Sequence, residues 1–248
     1  KYGTPKAALC HDLIMLRRGL VKFAPYILLI IVGWAVWNKI VAPRFYWRQQ
    51  AVRPLRALVV DYTVPFDNYK EHAGLLWLLS HLKIAPPDGA NWDPSRHSLG
   101  YGPLNRPYPR RLASKKNWGY DLLYIADTYG VYEADLDNAK KREAHMDHSR
   151  LLFGGLGDAD AAAAVTLAKR GCAVIVEFNP LCSPTADGAR ARMQALLGVR
   201  WTGWVGRMFV DPNNRNDVPH WFPRLYAKQY PGKKYPRRPM LALIHRSG

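Results

Sequence analysis

The chain has 248 residues and is 48% hydrophobic, enough to bury a core and, beyond a membrane anchor, to form roughly one domain of ordinary size. Its 36 Lys and Arg against 19 Asp and Glu give a formal net charge of +17, which favours an anionic neighbour such as lipid headgroups, nucleic acid or an acidic partner. Its three cysteines form no CxxC pair, so the sequence supports neither a zinc module nor a disulfide scaffold.

An apolar segment near the N-terminus is the first predicted element. Residues 23–38 carry no charge, and residues 40–43 extend the run if the amine of Lys39 reaches the headgroup layer. This pattern predicts a transmembrane helix over 23–43, with a basic interfacial segment at 1–22 and a juxtamembrane linker at 44–55. Amphipathic rings and cations are typical of the membrane interface. The residues expected to anchor the helix are Trp34, Trp37, Lys39, Arg44 and Trp47.

A secretory signal peptide and a buried core helix are the alternative interpretations of this segment. No small-x-small cleavage site follows the apolar run, which argues against a signal peptide. Basic residues flank both ends in equal number, so the positive-inside rule does not decide the orientation. We expect a short cytoplasmic N-terminus and a periplasmic or extracytoplasmic soluble domain.

The soluble domain is predicted over 56–248 as α/β, with a parallel sheet flanked by helices. Apolar runs rich in β-branched residues alternate with helical patterns, which favours parallel strands covered on both faces. Because the chain stops just after the strand-like run 240–245, we expect the domain to be incomplete at its C-terminus. In chain order we predict a strand at 56–62, a helix at 69–83, a long loop at 85–118, a strand at 121–126, a charged helix or loop at 140–148, a helix at 161–169 capped by Asp158, a strand at 172–178 and a helix at 186–197.

The order strand, helix, strand, Gly-Gly turn, helix, strand, sharp turn and helix resembles the class I glutamine amidotransferase-like fold, a flavodoxin-like three-layer domain. The closest local likeness is residues 167–199. The resemblance implies a nucleophilic Cys in the tight turn after the last of these strands. That turn reads Glu177, Phe178, Asn179 and Pro180, with no Cys, and bulky Phe178 stands where such a turn favours Gly. The resemblance therefore implies a pseudoenzyme without the elbow cysteine.

Three carboxylates are expected along the carboxyl edge of the sheet. Glu177 can act as an acid or base with Asp61 or Asp127. The alternative for Glu177 is structural, accepting bonds from turn amides or pairing with Arg190 or Arg192. Cys182, in the turn above the sheet edge, is a second candidate nucleophile if a histidine approaches it. Cys172 opens a strand and is expected in the core.

Other polar features favour structural roles. The run Gly154–Gly157 before a helix suits an anion at the helix N-terminus, but it lacks the Rossmann and P-loop spacings, so tight packing is preferred. No metal-ligand pattern accompanies the histidines His72, His81, His145 and His148, which are expected to be solvated. No cofactor motif is present. Tryptophans interleaved with arginines in the last 50 residues form a predicted binding surface for sugar, lipid or, preferably, a protein: Trp201, Trp204, Arg207, Trp221 and Arg224.

Two functions follow from these features. The first is a non-catalytic membrane-anchored subunit that docks on and stabilises a larger membrane protein complex, with lipids and other subunits as partners. The alternative is a membrane-tethered hydrolase of a glycan or amide that acts through the edge carboxylates or Cys182. No recognition motif accompanies the basic charge, so nucleic acid is not expected as a partner.

Overall fold

The computed structural model describes residues 23–63, 68–103, 108–115, 118–136, 149–215 and 217–245. The chain forms two compact units, Lys1–Val52 and Arg53–Gly248. The interfacial segment predicted at 1–22 and the charged helix or loop predicted at 140–148, with its two histidines, lie outside the described residues.

The first unit contains one long helix, α1 (Phe23–Gln49), which by length and composition is able to cross a bilayer. It continues past the predicted end at residue 43. Its middle is a π-turn at Trp37–Val41, in which the Ala42 N–H bonds to the Trp37 carbonyl. Pro43 follows and has no N–H to donate, so the wider turn lies where a regular helix would lack a hydrogen bond. All five predicted anchor residues lie on this helix.

The second unit is built on a parallel four-stranded sheet, in which the spatial order of the strands is β4 (Ser98–Gly100), β2 (Ala57–Asp61), β5 (Leu122–Asp127) and β8 (Ala173–Val176). Three strands that the apolar runs predicted, β2 (Ala57–Asp61), β5 (Leu122–Asp127) and β8 (Ala173–Val176), are confirmed. The prediction of an unstructured loop at 85–118 was wrong, because it contains the edge strand β4 (Ser98–Gly100). That strand is three residues long and pairs on one side only, which is too short for a periodic pattern.

Helices cover both faces of this sheet and give a three-layer α/β/α arrangement. On one face, Val59 and Tyr124 pack against Leu76 and Leu79 of helix α2 (Lys70–His81). The other face packs against two helices. Its core contains Leu58, Val60, Leu123 and Ile125 of the sheet with Ala161, Ala164, Leu167, Ala189, Met193 and the predicted core thiol Cys172.

Two helices complete the second core layer, α5 (Asp158–Lys169) and α6 (Asp187–Leu197). Helix α5 begins three residues before its predicted start, and Gly157, not Asp158, is its N-cap. The carboxylate of Asp160 accepts from the Gly157 amide, so it occupies the helix N-terminus and leaves no place there for an external anion. Gly155 has φ +59°, and a Cβ there would lie 2.4 Å from the Pro184 carbonyl oxygen. Tight packing is therefore the role of this glycine run.

Asp160 is buried and connects three segments of this core. It accepts hydrogen bonds from the Ala113 amide at 3.0 Å and pairs with Arg111 at 2.9 Å. Arg111 also donates to the carbonyls of Gly154 and Gly155. The Tyr62 hydroxyl lies 3.4 Å from Asp160 and accepts from the Leu112 amide at 2.5 Å.

The last part of the chain forms a second, two-stranded antiparallel sheet, in which β9 (Trp204–Phe209) pairs with β10 (Met240–His245). Helix α7 (Trp221–Gln229) lies between these strands in the chain. Phe209 and Ala242 pack with Phe222 of the helix in a small core of their own. The remaining short elements are β1 (Arg53–Pro54), β3 (Ile84–Ala85), α3 (Pro94–His97), a 3-10 turn (Leu112–Ser114), β6 (Val131–Tyr132), α4 (Glu133–Leu136) and β7 (Leu151–Phe153).

Replacing Asp160 by Ala should lower the free energy of unfolding by about 2–4 kcal/mol, because the buried amides and Arg111 lose their shared acceptor. Urea denaturation of the detergent-solubilised chain, followed by far-UV circular dichroism, measures the change. Asp158→Ala is the matched control, since Asp158 is an exposed acid in the first turn of the same helix and is worth less than about 1 kcal/mol. Equal effects of the two variants would contradict the proposed role of Asp160.

Candidate functional site

The carboxyl edge of the sheet has a point where the chain reverses its direction of winding. From β2 the chain moves outward to β4, then returns to β5 and β8 on the other side, so β2 and β5 are neighbours at the reversal. In open α/β sheets, ligands bind in the crevice outside the strand ends at such a point. The last residues of these two strands are Asp61 and Asp127.

A β-bulge sets these two aspartates opposite each other. Val60 pairs with Ile125, but the register then shifts, and Asp61 pairs with Asp127 instead of Ala126. Bulges of this kind redirect side chains and are frequent beside active sites. Glu177, one residue beyond the end of β8, is bonded through its amide to the Ile125 carbonyl at 2.9 Å. The three predicted carboxylates therefore share one edge of the sheet.

Asp61 forms a buried pair with His72 of α2. His72 Nδ1 lies 2.8 Å from Asp61 Oδ2, and the other carboxylate oxygen accepts from the Thr63 amide at 3.2 Å. A carboxylate oxygen accepts hydrogen bonds, so Nδ1 is the donor in this contact. His72 is 1% exposed, and its Nε2 has no hydrogen-bond partner within the described part of the chain. The expectation of a solvated histidine was wrong here.

A narrow cleft lies beside this pair and is lined by Asp61, His72, Ser98, Gly100 and Arg110. Its volume of about 20 Å³ suits one water molecule. Arg110 Nη2 donates to the Ser98 carbonyl at 2.7 Å, while its buried Nε has no partner among the described residues. A Cβ on Gly100 would lie 2.0 Å from the Asp61 carbonyl oxygen, so only Gly lets β4 approach this edge.

Asp127 lies in an environment that shifts the pKa of its carboxyl upward. Burial raises the pKa of its carboxyl, and the negative charge of Asp61 adds to the rise. Bonds from the amides of Thr128 and Tyr129 and from the Asn179 side chain oppose it. All three of these hydrogen bonds end on Oδ1, so one oxygen of Asp127 shapes the turn.

The turn after β8 has a strained backbone. Phe178 has φ +56°, a left-handed conformation that costs a bulky residue about 1–3 kcal/mol. Its ring is 72% exposed. Glu177 accepts from the Tyr124 hydroxyl at 2.5 Å, and not from the expected Arg190, which pairs with Asp187. Burial, then the hydrogen bond to Glu177, raises the pKa of Tyr124, which keeps this phenol a donor.

The thiol of Cys182 lies in the turn that follows. Its backbone closes a tight bend, donating to the Asn179 carbonyl at 2.9 Å and accepting from the Thr185 amide at 3.0 Å. Burial raises the pKa of the thiol, although Arg190 partly opposes this. The sulfur is therefore held in its protonated, weakly nucleophilic form.

The predicted aromatic and basic surface is divided among separate elements. Trp204 and Arg207 lie on β9, and Trp221 and Arg224 lie on α7. Trp201 donates to the Trp204 carbonyl at 3.0 Å. Arg207 pairs with Asp217 at 2.7 Å.

Among the described residues, no group of three or more His, Cys, Asp or Glu side chains is arranged to hold a metal ion. Comparison with known protein families, with curated proteins and with solved structures finds no match.

Sequence reasoning missed His72, although a signal for it was present. His72, Leu76 and Leu79 stand at the i, i+4 and i+7 positions of α2 and are its buried residues. A histidine within the apolar stripe of an amphipathic helix is placed against the core, where it needs a hydrogen-bond partner. The aspartate at the end of the adjacent strand was the available acceptor.

Removing either partner of the Asp61–His72 pair should destabilise the chain more than removing both. Asp61→Ala leaves the buried Nδ1 donor without an acceptor, at a cost of about 1–3 kcal/mol, whereas Asp61→Ala with His72→Phe removes both polar groups. A double-mutant cycle in urea denaturation should give a coupling energy of about 1–3 kcal/mol. Additive effects would mean that the two side chains do not interact.

Proposed function

We propose that the chain is a membrane-tethered hydrolase whose substrate, a glycan or an amide, binds at the carboxyl edge of the sheet. The observation that carries this proposal is the buried Asp61–His72 pair, which lies beside Asp127 where the chain reverses direction. A ligand is expected at this crevice from topology alone. The pair and the aspartate supply the base and the acid that hydrolysis needs.

In the proposed reaction, His72 Nε2 takes a proton from a water molecule in the cleft while the water oxygen attacks the scissile centre. Asp61 accepts from Nδ1, which fixes the tautomer and stabilises the imidazolium that forms. The bond to the leaving group breaks as the carboxyl of Asp127, whose pKa burial raises, donates a proton to the departing oxygen or nitrogen. Proton transfer from His72 to Asp127 through solvent then restores both groups.

The strand order supports the amidotransferase-like architecture as part of this proposal. Taken in chain order, the four strands are arranged 2-1-3-4, the beginning of the flavodoxin-like order. The strained turn at Phe178 lies where that architecture has its elbow. Because Phe178 is no nucleophile and the Cys182 thiol is protonated, the chemistry is assigned to the histidine and the carboxylates.

The proposed hydrolase is fixed to a membrane by α1. Helix α1 ends at Gln49 and the second unit begins at Arg53, so the linker between them is short. The substrate is therefore one found near a bilayer, and we place the second unit on its periplasmic or extracytoplasmic side.

The test is turnover of p-nitrophenyl glycosides and p-nitroanilides by the full chain in mild detergent. His72→Gln should lower kcat/KM at least about 100-fold, since general-base assistance is lost. His81→Gln, an exposed histidine on the same helix, is the matched control and should keep full activity. Loss of activity in Cys182→Ser but not in His72→Gln would replace this mechanism with a thiol one.

The rate should also depend on pH through Asp127. Its carboxyl is active when protonated, so kcat/KM falls as pH rises through the raised pKa of this group. Asp127→Asn should lower the rate and remove that alkaline limb. An alkaline limb that persists in Asp127→Asn would exclude this residue as the acid.

A non-catalytic subunit that docks on a membrane protein complex is the second candidate. It is favoured by an exposed apolar face on the two-stranded sheet of β9 and β10. The exposed side chains are Met208, Leu241 and Leu243. The exposed cations just before β10 suit a protein partner with an acidic rim around an apolar centre. These cations are Lys233, Lys234, Arg237 and Arg238.

Docking predicts that the tagged chain copurifies in mild detergent as a larger particle of fixed stoichiometry. Leu241→Asp with Leu243→Asp should release the partner, whereas Leu78→Asp, an exposed leucine on α2, should not. Mass photometry of the purified particles measures the difference. A lone monomer in all three preparations would exclude the docking function.

A further inference from the structure

The turn after β8 exposes the aromatic side chain of Phe178 to solvent. At this position the side chain buries little apolar surface and does not stabilise the fold. Phe178 adopts φ +56°, which is strained for a residue with a bulky side chain, and its ring is 72% exposed. Neither burial nor local backbone preference explains a Phe at this position. Residues with strained backbone conformations are frequent at ligand-binding sites, where the surrounding structure stabilises the conformation.

Polar residues precede and follow Phe178 in the chain, and the side chain of each is bonded to a second side chain. Glu177 accepts from the Tyr124 hydroxyl, and Asn179 donates to Asp127 at 3.4 Å. The aromatic ring, the carboxylate and the amide belong to three consecutive residues of one turn. The ring offers its face to C–H groups, while the carboxylate and amide accept and donate hydrogen bonds.

We propose that this turn is a carbohydrate subsite in which a pyranose ring stacks on Phe178 and its hydroxyls bond to Glu177 and Asn179. This inference rests on the proposed hydrolase and names its substrate class as a glycan. A pyranose has an apolar C–H face and a rim of hydroxyls, which matches the contacts at the turn. A peptide bond has no such combination of an apolar face and a rim of hydroxyls.

The negative charge at the carboxyl edge of the sheet further restricts which glycans can bind. The carboxylates of Asp61 and Glu177 lie on this edge, and the charge of each adds to the rise in the pKa of Tyr124. A uronic acid or a sugar phosphate would bring a like charge to this place and be repelled. The ligand is therefore a neutral oligosaccharide.

Isothermal titration calorimetry of the full chain in mild detergent tests the subsite, with cellotetraose and chitotetraose as neutral probes and tetragalacturonic acid as the anionic comparison. At least one neutral probe should bind and the anionic one should not. Phe178→Gly and Phe178→Ala should weaken binding at least about 10-fold, and Phe178→Tyr should retain it. Absence of binding by both neutral probes, or equal binding by Phe178→Gly, overturns the inference.

The melting temperature of Phe178→Gly gives a second readout, because it should rise while the affinity for the oligosaccharide falls. Gly adopts positive φ without strain, so Phe178→Gly should raise the Tm by about 2–4 °C while it weakens binding. A fall in Tm would mean that Phe178 supports the fold, which also overturns the inference. His72→Gln separates the two proposals, since it should bind the tetrasaccharide normally and fail to cleave it. Wild-type binding without cleavage would leave the subsite standing and reject the hydrolase.

Discussion

The Asp160 carboxylate is the interaction on which the edge of the sheet depends. It holds the start of α5, the amide of Ala113 and the Arg111 guanidinium, and the Tyr62 hydroxyl lies within its reach. Tyr62 directly follows Asp61 in the chain. A buried charge is costly unless hydrogen bonds and ion pairs satisfy it. The four contacts with Asp160 therefore fix the positions of the segments that make them. The end of β2 is fixed in this way, and the Asp61–His72 pair is fixed with it.

Two further constraints bring the polar groups of the sheet edge together from that fixed point. The bulge between β2 and β5 sets Asp61 opposite Asp127, and Gly100 lets the edge strand lie against the Asp61 carbonyl. The bulge interrupts a regular ladder, and Gly100 permits the pairing of β4 with β2. Both gather polar groups at the one place where topology provides a crevice.

The central strands and the long helices were predictable from sequence because their apolar patterns reflect burial on two faces. Strands such as β5 are buried along their whole length and appear as uninterrupted apolar runs. The edge strand β4 was not predictable, since three residues carry no period. The aspartates were found from their position after strands, whereas His72 was missed because its partner comes from another element. Phe178 was taken as unsuited to a tight turn, yet its backbone is left-handed, because tertiary contacts override the preference of a single residue.

The π-turn at Trp37–Val41 divides α1 into two halves whose side-chain stripes are rotated relative to each other. A π-turn is equivalent to one extra residue inserted in a regular helix, and each residue of an α-helix advances by about 100°. Side chains after the turn are therefore rotated by about 100° about the helix axis, compared with their positions in a regular α-helix. Trp47, for example, points in a different direction relative to Trp34 than its spacing in the sequence would predict. A straight neighbouring helix packed along α1 would meet one stripe of residues in the first half and a different stripe in the second. Deleting a single residue within the turn would bring the two stripes back into line.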